Sequence, residues 1–348
     1  MPRFHTAHVT DIRRETDDAV VISLAPNSGD FSFTPGQYLT FRRDFGGVEL
    51  RRCYSICSTA SEGLKIGVKA VDGGSFSNCA NQNISVGDAI EVMEPMGTFG
   101  EKLGENNLGF AGGSGITPLL SIIKSILAEN QNTSFTLVYA NRSVASTMFR
   151  TELQDLKDIY MERFYVIHML EDNAQDIDLF AGRLDSEKLE NLFQGWIDIE
   201  AVDRAFICGP EPMMKVVNGV LLAHMEPDQI SIEQFLSSQP GRAAQRAESL
   251  KSVAAHGAQK ATIILDGVGH EISLSSEVSV LQAALDTKLD APYACRAGVC
   301  STCKAKLIEG EVEMRANQAL EDYEVEAGYI LTCQSHAKTE KIVVDYDG

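Results

Sequence analysis

Four cysteines constrain this chain more than any other feature: Cys295, Cys300, Cys303 and Cys333, spaced C-x4-C-x2-C and then C-x29-C. Three thiols on one short loop, with a fourth arriving from far along the chain, is the plant-type ligand spacing of a [2Fe-2S] cluster. The loop from Tyr293 to Cys303 is built largely of small residues around Gly298. Such a loop folds tightly enough for amide N–H groups to point at sulfur. Zinc is the alternative, since Cys300-x2-Cys303 alone would suit a four-thiolate structural site, but zinc sites usually come as two short Cys pairs. The expected occupant is the cluster.

Cys53, Cys57, Cys79 and Cys208 are scattered and imply no disulfide framework; a lone Cys is often a small buried hydrophobe. Free thiols and a thiolate-held cluster suit a reducing compartment, so a cytoplasmic protein is expected. No charged-then-apolar leader follows Met1 and no apolar run is long enough to cross a bilayer, so an integral membrane protein is not expected. The 348 residues suffice for two or three separate cores. With 30 basic against 49 acidic residues, net −19, the chain is a poor match for the phosphate backbone of nucleic acid. That acidic surface suits docking on a basic patch of another protein, or equally a solvated face that keeps the chain soluble.

Three regions separate by pattern, predicting a multi-domain chain of α+β and α/β units. Over 1–103 the runs are short, alternating and β-branched, punctuated by Pro35-Gly36, Gly46-Gly47, Gly73-Gly74 and Gly87-Asp88. That cadence predicts an antiparallel β-barrel. Over 104–236 apolar strands alternate with amphipathic helices: strands at 108–111, 135–139, 165–169, 204–208 and 230–233, and helices at 118–128, 148–156, 186–192 and 212–224. This alternation predicts a parallel sheet with crossover helices. Residues 237–259 lack apolar periodicity and read as a linker. Beyond it, 260–348 opens with two strands joined at Asp266-Gly267, then a helix over 280–289 and the cysteine loop, a β-grasp order.

Two turns carry phosphate-binding chemistry. Gly112, Gly113, Ser114 and Gly115 follow a strand and open a helix at Thr117-Pro118, which lets a phosphate approach the backbone at the positive end of the helix dipole. A merely tight connection is the alternative. At the end of the next strand stand Asn141, Arg142 and Ser143, where the ribose edge of a dinucleotide falls in such a topology. A guanidinium and a hydroxyl there favour the 2′-phosphate of NADPH, with NADH left open. Cys208, Gly209 and Pro210 close the fourth strand at the ligand-binding edge of the sheet. In the barrel, Arg52 can neutralise a diphosphate, Tyr54 offers a ring for stacking, and the amides of Gly74, Ser75, Phe76 and Ser77 can form an anion nest. Residue chemistry leaves the ligand of that site open.

Arg52-x-Tyr54-Ser55, the Gly74–Ser77 turn, Gly112 to Pro118 and Cys208-Gly209-Pro210 stand in the order typical of the ferredoxin–NADP reductase family. With a C-terminal ferredoxin, the whole chain resembles the reductase components of bacterial oxygenases. The resemblance implies FAD held by Arg52, Tyr54 and Ser55, with Val68, Lys69 and Val71 along it and Gly74 to Ser77 on its pyrophosphate. It implies a nicotinamide near Thr117 and Cys208, Ser55 and Glu233 at the flavin's reactive edge as catalytic groups, and Phe235 over the flavin face. It also implies a route NAD(P)H to FAD to [2Fe-2S] to a partner protein, a diiron epoxidase or hydroxylase of aryl-CoA or related aromatic degradation. A Rieske oxygenase, a membrane desaturase, a hybrid-cluster protein and a sensing role fit the same layout. The family's G-P-x-G-x-F turn has Glu94 in its first position here, which puts the contacts of that turn in question.

Overall fold

In the computed structural model, residues 3–47, 49–172, 177–235 and 259–348 are described. The β-branched alternation of the first region becomes six strands and a helix: β1 (Phe4–Thr16), β2 (Ala19–Pro26), β3 (Tyr38–Asp44), β4 (Glu49–Ser55), β5 (Leu64–Lys69), α1 (Ser75–Gln82) and β6 (Ala89–Met93). They pair in the order β4-β3-β6-β1-β2-β5. Just past β4, an antiparallel bridge Ile56–Ile66 and the bond from Cys57 N to Lys65 O at 2.9 Å join the two edge strands into a barrel. Inward positions such as Val20, Ile22, Leu39, Phe41, Ile66 and Val92 fill it, and α1 covers one end through Phe76 and Ala80. Glu94 has its own partners, lying 3.2 Å from His5 Nε2 and accepting from Asp30 N at 3.3 Å.

The second region forms β7 (Asn106–Gly112), α2 (Ile116–Glu129), β8 (Ser134–Asn141), α3 (Arg150–Ile159), β9 (Phe164–Leu170), α4 (Ser186–Gly195), β10 (Arg204–Cys208), α5 (Glu211–Leu221) and β11 (Ile230–Glu233). All its strand pairs are parallel, in the order β11-β10-β7-β8-β9. Strand order therefore reverses between β7 and β10, creating a crevice at their carboxyl ends. Helix α3 starts two residues later than its apolar pattern predicts. Phe149 adopts a left-handed φ of 56° and its N–H bonds Glu15 Oε1 at 2.7 Å, so the helix begins only after it.

The third region holds β12 (Gln259–Leu265), β13 (Val268–Leu274), α6 (Val280–Asp286), β14 (Lys304–Glu309), β15 (Val312–Met314), α7 (Asp322–Glu326), β16 (Tyr329–Leu331), β17 (Ser335–Ala337) and β18 (Lys341–Asp345). Its mixed sheet runs β13-β12-β18-β14-β16 with α6 packed across it. Asp266 and Gly267 both take positive φ, 50° and 73°, as the two-residue hairpin turn requires. Helix α6 stops at Asp286, short of the expected 289, because Lys288 turns left-handed at φ 65° and Leu289 N bonds back to Ala284 O at 3.1 Å. The linker expected over 237–259 lies outside the described residues up to 258, while Gln259 already belongs to β12.

Two interfaces tie the regions together. Between barrel and parallel sheet, Lys124 reaches Glu62 at 2.5 Å and Glu152 at 2.6 Å, and Ser121 Oγ donates to Ser58 O at 2.7 Å. Between barrel and cysteine region, Arg51 of β4 is 3% exposed and donates to Asp290 Oδ1 at 2.9 Å. Its guanidinium lies 4.1 Å from the Tyr293 ring centroid, and Tyr38 Oη is 3.3 Å from Thr302 Oγ1. A buried guanidinium is stable only when paired, so Arg51 fixes where the cysteine loop sits.

Candidate functional site

The cysteine loop follows α6 and is shaped by two left-handed residues, Arg296 (φ 58°) and Gly298 (φ 78°). A Cβ on Gly298 would stand 2.6 Å from Ala316 O, so only glycine lets the loop close against its neighbour. Gln334 Nε2 holds Arg296 O at 2.9 Å, and Thr332 Oγ1 holds Cys303 O at 2.9 Å. These bonds bring Cys333, on the turn between β16 and β17, to the other three thiols. Cys295 is in hydrogen-bonding reach of Cys300 and of Cys333, and Cys303 of Cys333. The Cys300 and Cys333 thiols, backed by the Ala297 and Val299 amides, hold the Cys295 thiol far below its ordinary value. Among the described residues no group of three or more His, Cys, Asp or Glu is placed to hold a single metal ion. A two-iron cluster takes two thiolates per iron, and the pairs Cys295 with Cys300 and Cys303 with Cys333 fit that demand.

On the barrel, β4 presents Arg52 and Tyr54. Tyr54 packs against Phe76, ring centroids 5.4 Å apart, and against Phe41 at 5.7 Å. Gly74 precedes α1, where a Cβ would meet Ser77 Oγ at 2.5 Å, and that hydroxyl accepts from Val71 N at 3.2 Å. Ser75 is the first residue of the helix. The bare backbone of residues 74–75 is therefore accessible for an anion, whereas the Phe76 side chain belongs to the core, as does Val68. Val71 is exposed, and Lys69 Nζ is tied to Ser146 O at 3.0 Å, bridging to the parallel-sheet domain.

At the crevice between β7 and β10 the two turns meet backbone to backbone. A Cβ on Gly115 would lie 2.0 Å from Cys208 O, one on Gly112 2.5 Å from Pro210 Cδ, and one on Gly209 2.9 Å from Gly112 N. Gly113 has open space around it and φ 53°. Thr117, buried, donates to Ser114 O at 2.9 Å, and its methyl packs on Gly67 of β5. At the end of β8, Arg142 is exposed, and Ser143 caps the following turn by accepting from Ser146 N at 3.2 Å. Asn141 is buried, yet neither Oδ1 nor Nδ2 meets a partner at hydrogen-bond geometry, so its amide is free for a ligand.

Three of the four catalytic candidates converge. Ser55 Oγ donates to Glu233 Oε2 at 3.0 Å, and Glu233 is the direct register partner of Cys208 across β10–β11. Burial pushes the Glu233 carboxyl up to about 8 against the pull of the Ser55 bond. Burial, and then the nearby Glu233, push the Cys208 thiol well above its ordinary value. Thr117 lies on the β7 side of the same crevice, and Phe235, 38% exposed, stands two residues beyond Glu233. Sequence reading passed over Arg51, Asp290 and Tyr293; the clue was the strand alternation that turns Arg51 away from Arg52.

These features define a three-module redox protein, with a barrel for a flavin, a parallel sheet for a dinucleotide and a β-grasp module for an iron–sulfur cluster. Residues 7–100 match the oxidoreductase FAD-binding domain, residues 110–219 the oxidoreductase NAD-binding domain and residues 263–338 the 2Fe-2S iron-sulfur cluster binding domain. The choice between cluster and zinc is thereby settled for the cluster. The reductase component of 1,2-phenylacetyl-CoA epoxidase from Escherichia coli K12 is 42% identical across 100% of this chain and 99% of its own. The ferredoxin reductase component of 3-ketosteroid-9-alpha-monooxygenase from Mycolicibacterium smegmatis is 36% identical over 97% of this chain and 96% of its own. Phthalate dioxygenase reductase, a solved structure 26% identical to this chain, superposes over 98% of both chains with a TM-score of 0.60. The chain belongs to the ferredoxin–NADP reductase family, in its branch that carries FAD-, NAD- and [2Fe-2S]-binding domains together. It is an electron-transfer reductase. Among the described residues no helix is long and apolar enough to cross a membrane.

Proposed function

We propose that this reductase takes electrons from NADPH and delivers them, in the cytoplasm, to the diiron oxygenase of an aryl-CoA epoxidase system. The observation that carries this reading is the end-to-end match at 42% identity to the phenylacetyl-CoA epoxidase reductase component, with all three modules in the same chain. When bound, FAD supplies hydride acceptance and the cluster supplies one-electron transfer. The chain's own residues supply position. Arg52 neutralises the flavin's diphosphate beside the amides of residues 74 and 75, while Tyr54, with Phe76 behind it, gives the ring a stacking face. The Gly112–Gly115 turn receives the dinucleotide's diphosphate at the start of α2. Asn141 and the exposed Arg142 meet the ribose edge, where the guanidinium favours a 2′-phosphate. Ser55, Glu233, Cys208 and Thr117 line the crevice where nicotinamide and flavin come together, with Phe235 at its rim. Cys295, Cys300, Cys303 and Cys333 hold the iron.

The test is anaerobic NADPH titration followed by reconstitution. NADPH should bleach the flavin absorbance and then bring up the reduced-cluster EPR signal, and addition of the epoxidase's oxygenase component with phenylacetyl-CoA should give NADPH-dependent epoxide. A bleached flavin with a silent cluster would break the relay. A working relay that supports a 3-ketosteroid hydroxylase but not the epoxidase would move the acceptor to the class of the second relative.

A further inference from the structure

Strand β4 makes a functional contact at every second residue of one face. Arg51 holds Asp290, Cys53 packs on Cys300, and Ser55 donates to Glu233. Alternate residues of a strand are separated by about 7 Å. A cluster ligand and the hydride-transfer crevice are thus touched from neighbouring positions of one rigid element, which also carries the flavin-binding Arg52 and Tyr54. Cys53 shares an apolar patch with Tyr38, Met96, Ala294, Cys295 and Cys300. Its sulfur lies 3.6 Å from the hydroxyl of Thr40, its cross-strand partner, and is hydrogen-bonded to the Cys300 sulfur. Thr40 and Cys300 are buried, so little water competes for that bond. Once Cys300 is ligated to iron it carries no proton. The pair then holds a single proton, on Cys53, and the bond runs from the Cys53 S–H to the ligand sulfur. Hydrogen bonds to cluster sulfurs stabilise the reduced, more negative state and so raise the potential.

We propose that Cys53 is a positioning residue of the relay, its thiol donating to the cluster ligand Cys300 so that the cluster's potential is raised at the point where the flavin-binding strand meets it. The proposal rests on the flavin-to-cluster relay described above. No bond is made or broken at Cys53, which keeps its proton and its oxidation state. The electron lost by the reduced flavin is the one that converts an Fe(III) of the cluster to Fe(II).

The experiment is a dithionite titration of the full-length holoprotein, with the cluster followed by EPR, for the wild type, Cys53→Ser and Cys53→Ala. Losing the donor in Cys53→Ala should lower the reduced-to-oxidised ratio at a fixed potential about tenfold, which is 59 mV for a one-electron couple, and displace the EPR g values. Cys53→Ser keeps a donor and should stay near the wild type. A wild-type potential and spectrum in Cys53→Ala would overturn the proposal, as would a Cys53→Ser protein that follows Cys53→Ala. Should Cys53→Ala fail to take up iron, Cys53→Val, which fills the space without a donor, is read by the same criterion. Because dithionite bypasses NADPH and flavin, a wild-type cluster that dithionite reduces but NADPH does not would sink the relay and leave the hydrogen-bond test standing.

Discussion

Ser55 and Glu233 come from different domains, one at the end of a barrel strand and the other at the end of a parallel-sheet strand, yet the Ser55 hydroxyl donates to Glu233 Oε2 at 3.0 Å. The bond closes the crevice where the flavin-binding and dinucleotide-binding regions face each other, so it fixes the distance between the two reactants. Misplacing reacting atoms by an ångström costs on the order of 100-fold in rate. Ser55→Ala and Glu233→Gln should each slow NADPH-dependent flavin reduction about 10- to 100-fold in single-turnover stopped-flow experiments. Unaltered rates in both would remove this pair from the hydride step.

The Glu233 carboxyl also sets a pH signature. Its value in the folded chain is about 8 against an ordinary 4.5, so the folded state holds a proton that the unfolded state has already released. Stability from this group is complete below about pH 4.5, declines as pH rises, and is gone above about pH 8. Glu233→Gln never ionises and lacks this slope. The difference in unfolding midpoint between Glu233→Gln and the wild type should therefore grow in the variant's favour from pH 5 to pH 8; a constant difference would show that Glu233 titrates normally.

Local signals carried much of this architecture. The strand and helix periods over 104–236 predicted every element of the parallel sheet, because its strands are buried on both faces and read as continuous apolar runs. Asp266-Gly267 predicted its hairpin through the positive φ that only a few residues tolerate. Helix ends were less legible: Phe149 and Lys288 turn left-handed through a long-range bond to Glu15 in one case and a backbone bond within the helix cap in the other, and neither residue type advertises this. The cluster ligands were legible because thiolate spacing is local. Arg51 and Asp290 were not, since two charges far apart in sequence look like solvated surface until the fold buries one against the other.

Gly115 tests the seam between the two turns. Its missing Cβ would sit 2.0 Å from the Cys208 carbonyl oxygen, a backbone atom with no freedom to swing aside. Overpacking of this kind costs about 1–3 kcal/mol. Gly115→Ala should lower the unfolding free energy by that amount in denaturant titrations and raise the KM for NADPH, while Gly113→Ala, which meets nothing within 4 Å, should suffer only from its positive φ.

Arg142 should decide the coenzyme. It is exposed at the end of β8, beside the unsatisfied Asn141 amide, so its guanidinium is free to pair with a 2′-phosphate. A hydrogen bond to a charged group contributes about 1.5–3 kcal/mol, which is roughly 10- to 100-fold in affinity. Arg142→Ala should raise the KM for NADPH by about that factor and leave the KM for NADH nearly unchanged. Equal changes for both coenzymes would assign the ribose edge to other residues.

Asp290 offers the clearest separation of hydride transfer from electron delivery. Its carboxylate holds Arg51 at 2.9 Å and lies 4.0 Å from Arg42, and both cations belong to the barrel. Arg51 is itself wedged between the Phe4 and Tyr293 rings, at 5.0 Å and 4.1 Å, so its position survives when Asp290 is changed. Arg51→Ala, by contrast, would remove the partner of both Glu49 and Asp290 and open a gap beneath the rings. Asp290→Ala is thus the cleaner cut: it loosens the cysteine loop from the barrel without disturbing the flavin strand. Flavin reduction by NADPH should proceed at the wild-type rate, while the following appearance of reduced cluster slows several-fold. Because the Asp290 side chain is 74% exposed, its attraction is screened by salt. Raising ionic strength from about 0.01 M to about 1 M shortens the screening length from roughly 30 Å to roughly 3 Å. The wild type should lose cluster-reduction rate over that range and Asp290→Ala should not. Parallel salt curves for the two proteins would mean that the apolar patch around Tyr38 and Cys300, rather than the ion pair, holds the modules together.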